Sequence, residues 1–180
     1  MKRNYTFFNV ASLFVILLSV FFLIATFQTS TDTKIHFEDP GLEQAVRDAI
    51  GKEEGTIEPS DVELVQELDA SGYGIESLEG IEALQELQVI NLEDNVIKSV
   101  TPLQTLIKLE SLNLRNNEIT SLEAINFDDI VFLNIRELSL RHNVVRDDEG
   151  SQTRLSDISL LAHLTTLREL DLREDRKSVV

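Results

Sequence analysis

Leu87-Gln88-Val89-Ile90-Asn91-Leu92-Glu93-Asp94-Asn95-Val96-Ile97 is followed 22 residues later by Leu109-Glu110-Ser111-Leu112-Asn113-Leu114-Arg115-Asn116-Asn117-Glu118-Ile119. Aligning the two stretches brings further columns into register: Leu68 with Ile90 and Leu112, Ala70 with Leu92 and Leu114, Ile75 with Ile97 and Ile119, Leu78 with Val100 and Leu122, and Ile81 with Leu103 and Ile125. Five apolar columns at one offset are the signature of a structural repeat. The pattern resumes at Leu138 and Leu140, 26 residues on, and at Leu170 and Leu172, a further 32 residues on. Those wider steps place insertions around Phe127 to Phe132 and around Val145 to Arg154. The second contains the acidic run Asp147, Asp148 and Glu149 followed by Gly150, and reads as an exposed loop.

Within one repeat the spacing dictates local structure. Leu112 and Leu114 lie two apart, the period of a strand with one buried face, so Ser111, Asn113 and Arg115 face outward. Ile97, Val100, Leu103, Leu106 and Leu109 fall three apart, which fits tight 3₁₀-like turns and would drift around an α-helix. Asn95, Asn117 and Asn143 share the column at the strand-to-turn bend, where an inward amide can bond backbone groups that a tight bend leaves unpaired. Tyr73 and Asp175 replace asparagine at the two ends of that column. A single repeat cannot bury its leucines, so the repeats stack and their strands form a parallel sheet.

Upstream, Asp39-Pro40 reads as an N-cap and first helical position, and Leu42, Ala45, Val46, Ala49 and Ile50 make one apolar stripe ending at Gly51 and Gly55. A second start is expected at Ser60 with Glu63 as a capping box, and with Val62, Leu64, Val65 and Leu68 supplying apolar contacts. This helical segment is placed to shield the first repeat from water.

The first thirty residues differ in kind. Lys2 and Arg3 precede an uncharged run from Val10 to Phe27, about 27 Å long as a helix, close to the thickness of a bilayer's hydrocarbon core. The run exceeds a signal-peptide core, and Ala25-Thr26-Phe27 is a poor cleavage site. The reading is a single-pass membrane anchor with the body outside, the alternative being secretion after signal cleavage. The domain organisation expected is therefore an anchor or signal over 1–30, a linker over 31–36, a helical cap over 37–67 and about four to five repeats over 68–180, the last incomplete and in need of a covering partner.

Beyond residue 30 the chain carries 14 basic residues against all 32 acidic ones, a net −18. That excess disfavours nucleic acid and anionic lipid as partners of the body. With no cysteine, disulfides, thiolate metal sites and cysteine nucleophiles are excluded. His36, His142 and His163 are scattered, and no HExxH, GxSxG or phosphate-binding glycine loop occurs. The acidic run at 147–149 lacks the alternating ligand spacing of calcium loops. Neither an enzyme nor a resident metal or cofactor is expected.

These residues resemble the internalin-like leucine-rich-repeat proteins of Gram-positive bacteria. Leu87 to Ile97 matches the repeat signature, and Phe37-Glu38-Asp39-Pro40-Gly41-Leu42-Glu43-Gln44-Ala45-Val46-Arg47 looks like the helical cap that opens such domains. The resemblance implies an α/β fold, a right-handed leucine-rich-repeat solenoid with a parallel β-sheet on the concave face, 3₁₀ turns on the convex face and an N-terminal helical cap. It also implies an exported module that binds proteins or cell-surface material through the concave sheet.

On that sheet Arg115, Arg141 and Arg173 fall in one column about 4.8 Å apart per strand, with Asn91, Asn113 and Ser139 as neighbouring hydrogen-bond groups. These six are the candidate ligand-binding residues, for a protein or an anionic surface polymer. Two readings of the arginines stand: an anion-seeking strip, or side chains solvated and paired with nearby Asp and Glu. A scaffold without a dedicated ligand, or a remnant of a longer protein, is the competing class of function.

Overall fold

The computed structural model describes residues 34–122, 134–146, 149, 151–155, 161–162 and 164–173. The hydrophobic run from Val10 to Phe27 lies outside them, as do His163, Asp175 and most of the two inserted segments. Among the described residues no helix is long and apolar enough to cross a membrane.

The repeat columns become a five-stranded parallel sheet in chain order, apart from the inserted hairpin: β1 (Glu67–Asp69), β2 (Val89–Asn91), β3 (Ser111–Asn113), β4 (Glu137–Ser139) and β7 (Glu169–Asp171). The register is the one the column alignment requires, with Leu68, Ile90, Leu112, Leu138 and Leu170 opposite one another. Each strand is only three residues long because the chain must bend immediately afterwards to carry the next inward side chains around the core. The return path runs through 3₁₀ turns at Ile81–Ala83 and Thr101–Thr105, as the three-residue spacing demands. Ile97, Leu103 and Leu106 are fully enclosed there. Burying each such side chain contributes on the order of 1.5–3 kcal/mol.

The bend is closed by the asparagine column. The Asn117 Nδ2 donates to the carbonyls of Leu92 and Leu114 at 2.9 and 3.2 Å, while its Oδ1 accepts the Ile97 N–H at 3.0 Å. Asn95 bonds Ala70, Leu92 and Ile75 in the same way, and Asn143 bonds Leu114, Leu140 and Ile119. Each amide therefore ties its own strand to the preceding repeat. One position earlier the backbone turns left-handed, with φ of 59° at Asp94, 54° at Asn116 and 58° at His142. Gly72 holds the equivalent place in the first repeat at 74°, and the short polar side chains tolerate it at some cost.

Helix α1 (Pro40–Ile50) packs beside β1. Leu42, Ala45 and Val46 are buried and Ile50 is partly so, whereas Ala49, at the edge of the expected stripe, is exposed. Asp39 caps the helix through Gly41 and Leu42 N–H and also accepts the N–H groups of Glu76 and Ser77 in the first repeat. Burial pushes the Asp39 carboxyl up, but these four backbone donors outweigh it and hold it below its ordinary value. Tyr73, standing where later repeats have asparagine, turns to the helix and donates its hydroxyl to Asp48 at 2.7 Å. The helix ends at Gly51, φ 66°, whose neighbour Lys52 bonds back to the Arg47 carbonyl.

Two expectations are corrected. The second short helix, α2, spans Pro59–Val62 with Glu58 as its N-cap, and the carboxylate of Asp61, not Glu63, accepts the Glu58 N–H at 2.8 Å. Proline lacks an N–H and is pre-shaped for the first helical position, so Pro59 sets the cap at the residue before it. A one-turn helix then leaves Leu64 82% exposed, while Val62 is buried. The inserted segment is also not wholly loop: β5 (Val144–Arg146) and β6 (Gln152–Arg154) pair antiparallel as a hairpin. Asp147, Asp148 and Gly150 lie outside the described residues.

The packing of the repeats makes three predictions. A Cβ on Gly80, φ 104°, would lie 2.6 Å from the His36 carbonyl oxygen and 2.8 Å from the Phe37 ring. Gly80→Ala is expected to lower stability by about 2 kcal/mol or more in urea titration. Gly72→Asn, at an open position that other repeats fill with Asp, Asn or His, should stay within about 0.5 kcal/mol of the parent. Asn117→Ala strands one buried donor and two acceptors in the middle of the stack; it should cost about 3 kcal/mol and speed amide exchange at Ile97.

Candidate functional site

The sheet's outward residues form three columns. Along the first lie Glu67, Val89, Ser111, Glu137 and Glu169; along the second, Asp69, Asn91, Asn113, Ser139 and Asp171; along the third, Ser71, Glu93, Arg115, Arg141 and Arg173. The fold brings all six sequence-nominated residues onto this one face. It also brings six carboxylates there, the nearby Asp and Glu that the second reading of the arginines requires.

The second column is built into the strand ends. Asp69, Asn91, Asn113 and Asp171 each accept the N–H of the residue two places on, closing an Asx turn at 3.1–3.2 Å. Their remaining capacity links strand to strand: Asn91 Nδ2 donates to Asp69 at 3.1 Å, and Asn113 Nδ2 donates to Asn91 at 2.9 Å and to Glu93 at 3.0 Å. Asn91 and Asn113 are thus engaged within the sheet before any ligand arrives. Ser139 sits at the equivalent place in β4 and makes no side-chain bond among the described residues.

In the third column the arginines are not equivalent. Arg115 Nη1 pairs with Glu93, one strand away, at 2.7 Å, although its Nε is buried with no hydrogen-bond partner among the described residues. Arg173 grips Asp171 on its own strand with two bonds of 2.9 and 2.7 Å. Those bonds, with the Arg173 N–H and the field of Arg141, hold the Asp171 carboxyl well below the usual carboxylate range. Arg141 directs its Nε to His142 Nε2 at 3.3 Å and forms no ion pair among the described residues. Both pairs are partly solvated, with Arg115 40% and Arg173 76% exposed, so each contributes roughly 0–1 kcal/mol. Six carboxylates share the face with three arginines, so the face as a whole is acidic, and Arg141 is the one of the three arginines without an ion pair among the described residues.

Charges on the flank of the repeats follow the same ladder logic. Lys108 pairs with Glu86, Arg136 with Glu110, and Lys98 with Glu76 at 2.8 Å and Glu118 at 3.8 Å. They join successive repeats and leave the sheet face to the three columns. Among the described residues no group of His, Asp and Glu side chains is disposed to hold a metal ion.

Comparison with known proteins fits this geometry. The family model for leucine-rich repeats in two copies matches residues 85–127. An internalin, InlF, from Listeria monocytogenes superposes with a TM-score of 0.63 at 27% identity over 84% of this chain and 49% of that one. Internalin C2 from the same species gives 0.58 at 28% identity over 77% of this chain and 67% of that one. The functional domain of InlJ, also from Listeria monocytogenes, shares the fold at 20% identity and a TM-score of 0.57, over 76% of this chain and 31% of that one. The chain thus spans about half the length of the InlF structure it matches. Repeat columns, parallel sheet, 3₁₀ return turns and these neighbours agree on a leucine-rich-repeat fold similar to that of the Listeria internalins.

Proposed function

We propose that the chain is an extracytoplasmic protein-binding module, held at a membrane by the Val10–Phe27 segment, that presents its concave sheet to a protein partner. The fold supports a binding role, since a stack of short strands offers a broad, rigid, polar surface. The observation that carries the reading is the state of Arg141: its neighbours Arg115 and Arg173 are hydrogen-bonded to carboxylates, whereas Arg141 forms no ion pair among the described residues and feels Asp171 only at longer range. A carboxylate on the partner would gain a two-pronged, charge-assisted contact there. Ser139, two residues before Arg141 on the same face, adds a hydroxyl that makes no side-chain bond among the described residues. Along the opposite edge Glu137 and Glu169 favour a cationic or amide-rich partner surface about 13 Å from Arg141, four residues along a strand.

The binding reading is tested by captured protein partners of the full-length chain. Arg141→Ser should reduce capture and flatten its salt dependence more than Arg115→Ser, and the triple change of Arg115, Arg141 and Arg173 to serine should abolish it while far-ultraviolet circular dichroism stays unchanged. Equal capture by parent and triple variant at low and moderate salt would remove the concave face from consideration. For location, N-terminal sequencing of the membrane-fraction protein is expected to recover a chain that still contains Val10 to Phe27. A mature chain starting near Ser30 would show secretion instead.

A further inference from the structure

We propose that a second copy of this chain pairs with the first along the outer edge of β7, antiparallel about a two-fold axis through Asp171. The backbone geometry comes first. In each earlier repeat an inward residue donates its N–H to the next strand: Ala70 to Asn91, Leu92 to Asn113, Leu114 to Ser139 and Leu140 to Asp171, at 2.8–2.9 Å. Leu172 is next in that series, and no described residue receives its N–H. Because the peptide groups of Glu169 and Asp171 face β4, those of Leu170 and Leu172 face outward. The apolar side of this edge is open as well. Leu170 is 41% exposed although its counterparts Leu68, Ile90, Leu112 and Leu138 are 7% or less, and an open recess runs along Glu169 to Arg173.

An edge of this kind is a template for another strand, and its own sequence selects the occupant. Glu169-Leu170-Asp171-Leu172-Arg173 is nearly self-complementary when reversed. With the axis at residue 171, Glu169 faces Arg173 of the second copy twice, on the concave side, and Leu170 faces Leu172 twice, on the core side. The leucines are then the hydrogen-bonded pairs, as the outward peptide groups require. Moving the axis to Leu170 sets Glu169 against Asp171, acid on acid. Moving it to Leu172 sets Leu170 against Glu174, so neither shift satisfies both faces. At the chosen axis the two Asp171 side chains meet, each bonded to its own Arg173 at 2.7 Å, which then lies between Asp171 and the Glu169 of the other copy. The product is an isologous dimer with one continuous sheet of ten short strands.

Because the chain contains no cysteine, a single introduced thiol reports the axis. Non-hydrogen-bonded antiparallel pairs bring Cα atoms to about 4.5 Å, within disulfide range. In the full-length protein Asp171→Cys should oxidise to a covalent dimer at least about tenfold faster than Glu67→Cys, which sits on the same face of β1 and carries the same N-terminal segment. On the Asp171→Cys background, Glu169→Arg or Arg173→Glu alone should slow cross-linking about tenfold, since two cross-strand pairs turn repulsive. Mixing the two variants should restore it, because every pair is again opposite in sign. If Asp171→Cys cross-links no faster than Glu67→Cys, the edge is covered by something else, such as residues 174–180 or another protein, and the proposal fails. Cross-linking that the mixture does not restore would equally overturn it.

Discussion

Everything in this solenoid hangs on a buried amide. At each bend the chain must leave a strand and turn back toward the core within a few residues, which strands peptide N–H and C=O groups where water cannot reach. One asparagine per repeat supplies both kinds of partner, taking a carbonyl from its own strand, a carbonyl from the strand before and an N–H from the preceding bend, as Asn117 does with Leu114, Leu92 and Ile97. Aspartate would lose the donors and leucine would lose everything. Because the bonds to Leu92 and Ile97 reach into the previous repeat, the same side chain that makes the bend also fixes the stacking register, and the leucine columns can then interlock. The first repeat has no predecessor, so its asparagine is dispensable. Tyr73 takes the place and binds the helix, while Asp39 in turn supplies the acceptors for Glu76 and Ser77.

This division explains what the sequence makes legible. The strand register, the 3₁₀ return path and the asparagine role all follow from positions that repeat, because each copy reports the same constraint. Features that occur once carry no such redundancy. The hairpin of Val144–Arg146 with Gln152–Arg154 arises inside a unique insertion whose acidic centre looks like loop. The α2 cap depends on weighing Pro59 against Ser60, two overlapping start signals of which the proline wins. On the binding face, the arginine column is readable, but its state is set by carboxylates contributed from elsewhere in the ladder. Glu93 stands 22 residues before Arg115 in the same column, the offset that also joins Glu76 to Lys98 and Glu86 to Lys108. Scanning that offset for opposite charge would have found all three pairs. Arg173 is different, because it folds back on Asp171 two residues away, and column alignment alone is silent on such a choice.

The concave face therefore has two tenants. Asp69, Asn91, Asn113 and Asp171 look like ligand groups but are occupied in ending strands and bridging them. Such residues give the face shape and rigidity, and under the proposed binding role a partner would meet chiefly Arg141, Ser139 and the carboxylates of the first column, of which Glu137 already accepts the Ser111 hydroxyl at 3.0 Å. Rigid backbone support matters here. Asn116 N–H bonds the Arg141 carbonyl at 2.8 Å, and His142 is held in a left-handed turn beside it, so less freedom is lost when a ligand docks than for an arginine on a loop.

Packing is not uniform along the stack, and that asymmetry bears on where recognition occurs. The equivalent core residues Leu68, Ile90 and Leu112 are 1–4% exposed, Leu138 is 7% and Leu170 is 41%. In a stack whose repeats contact only their neighbours, local opening begins where inward residues are least enclosed, and among the described strands that is β7. Arg173 belongs to that end, one strand beyond Arg141. A partner or second strand seated there would both gain its polar contacts and remove apolar surface from water, at roughly 25 cal/mol per Å². Such an occupant would stabilise chiefly the looser β7 end, while the N-terminal repeats, whose core residues are already enclosed, would change little.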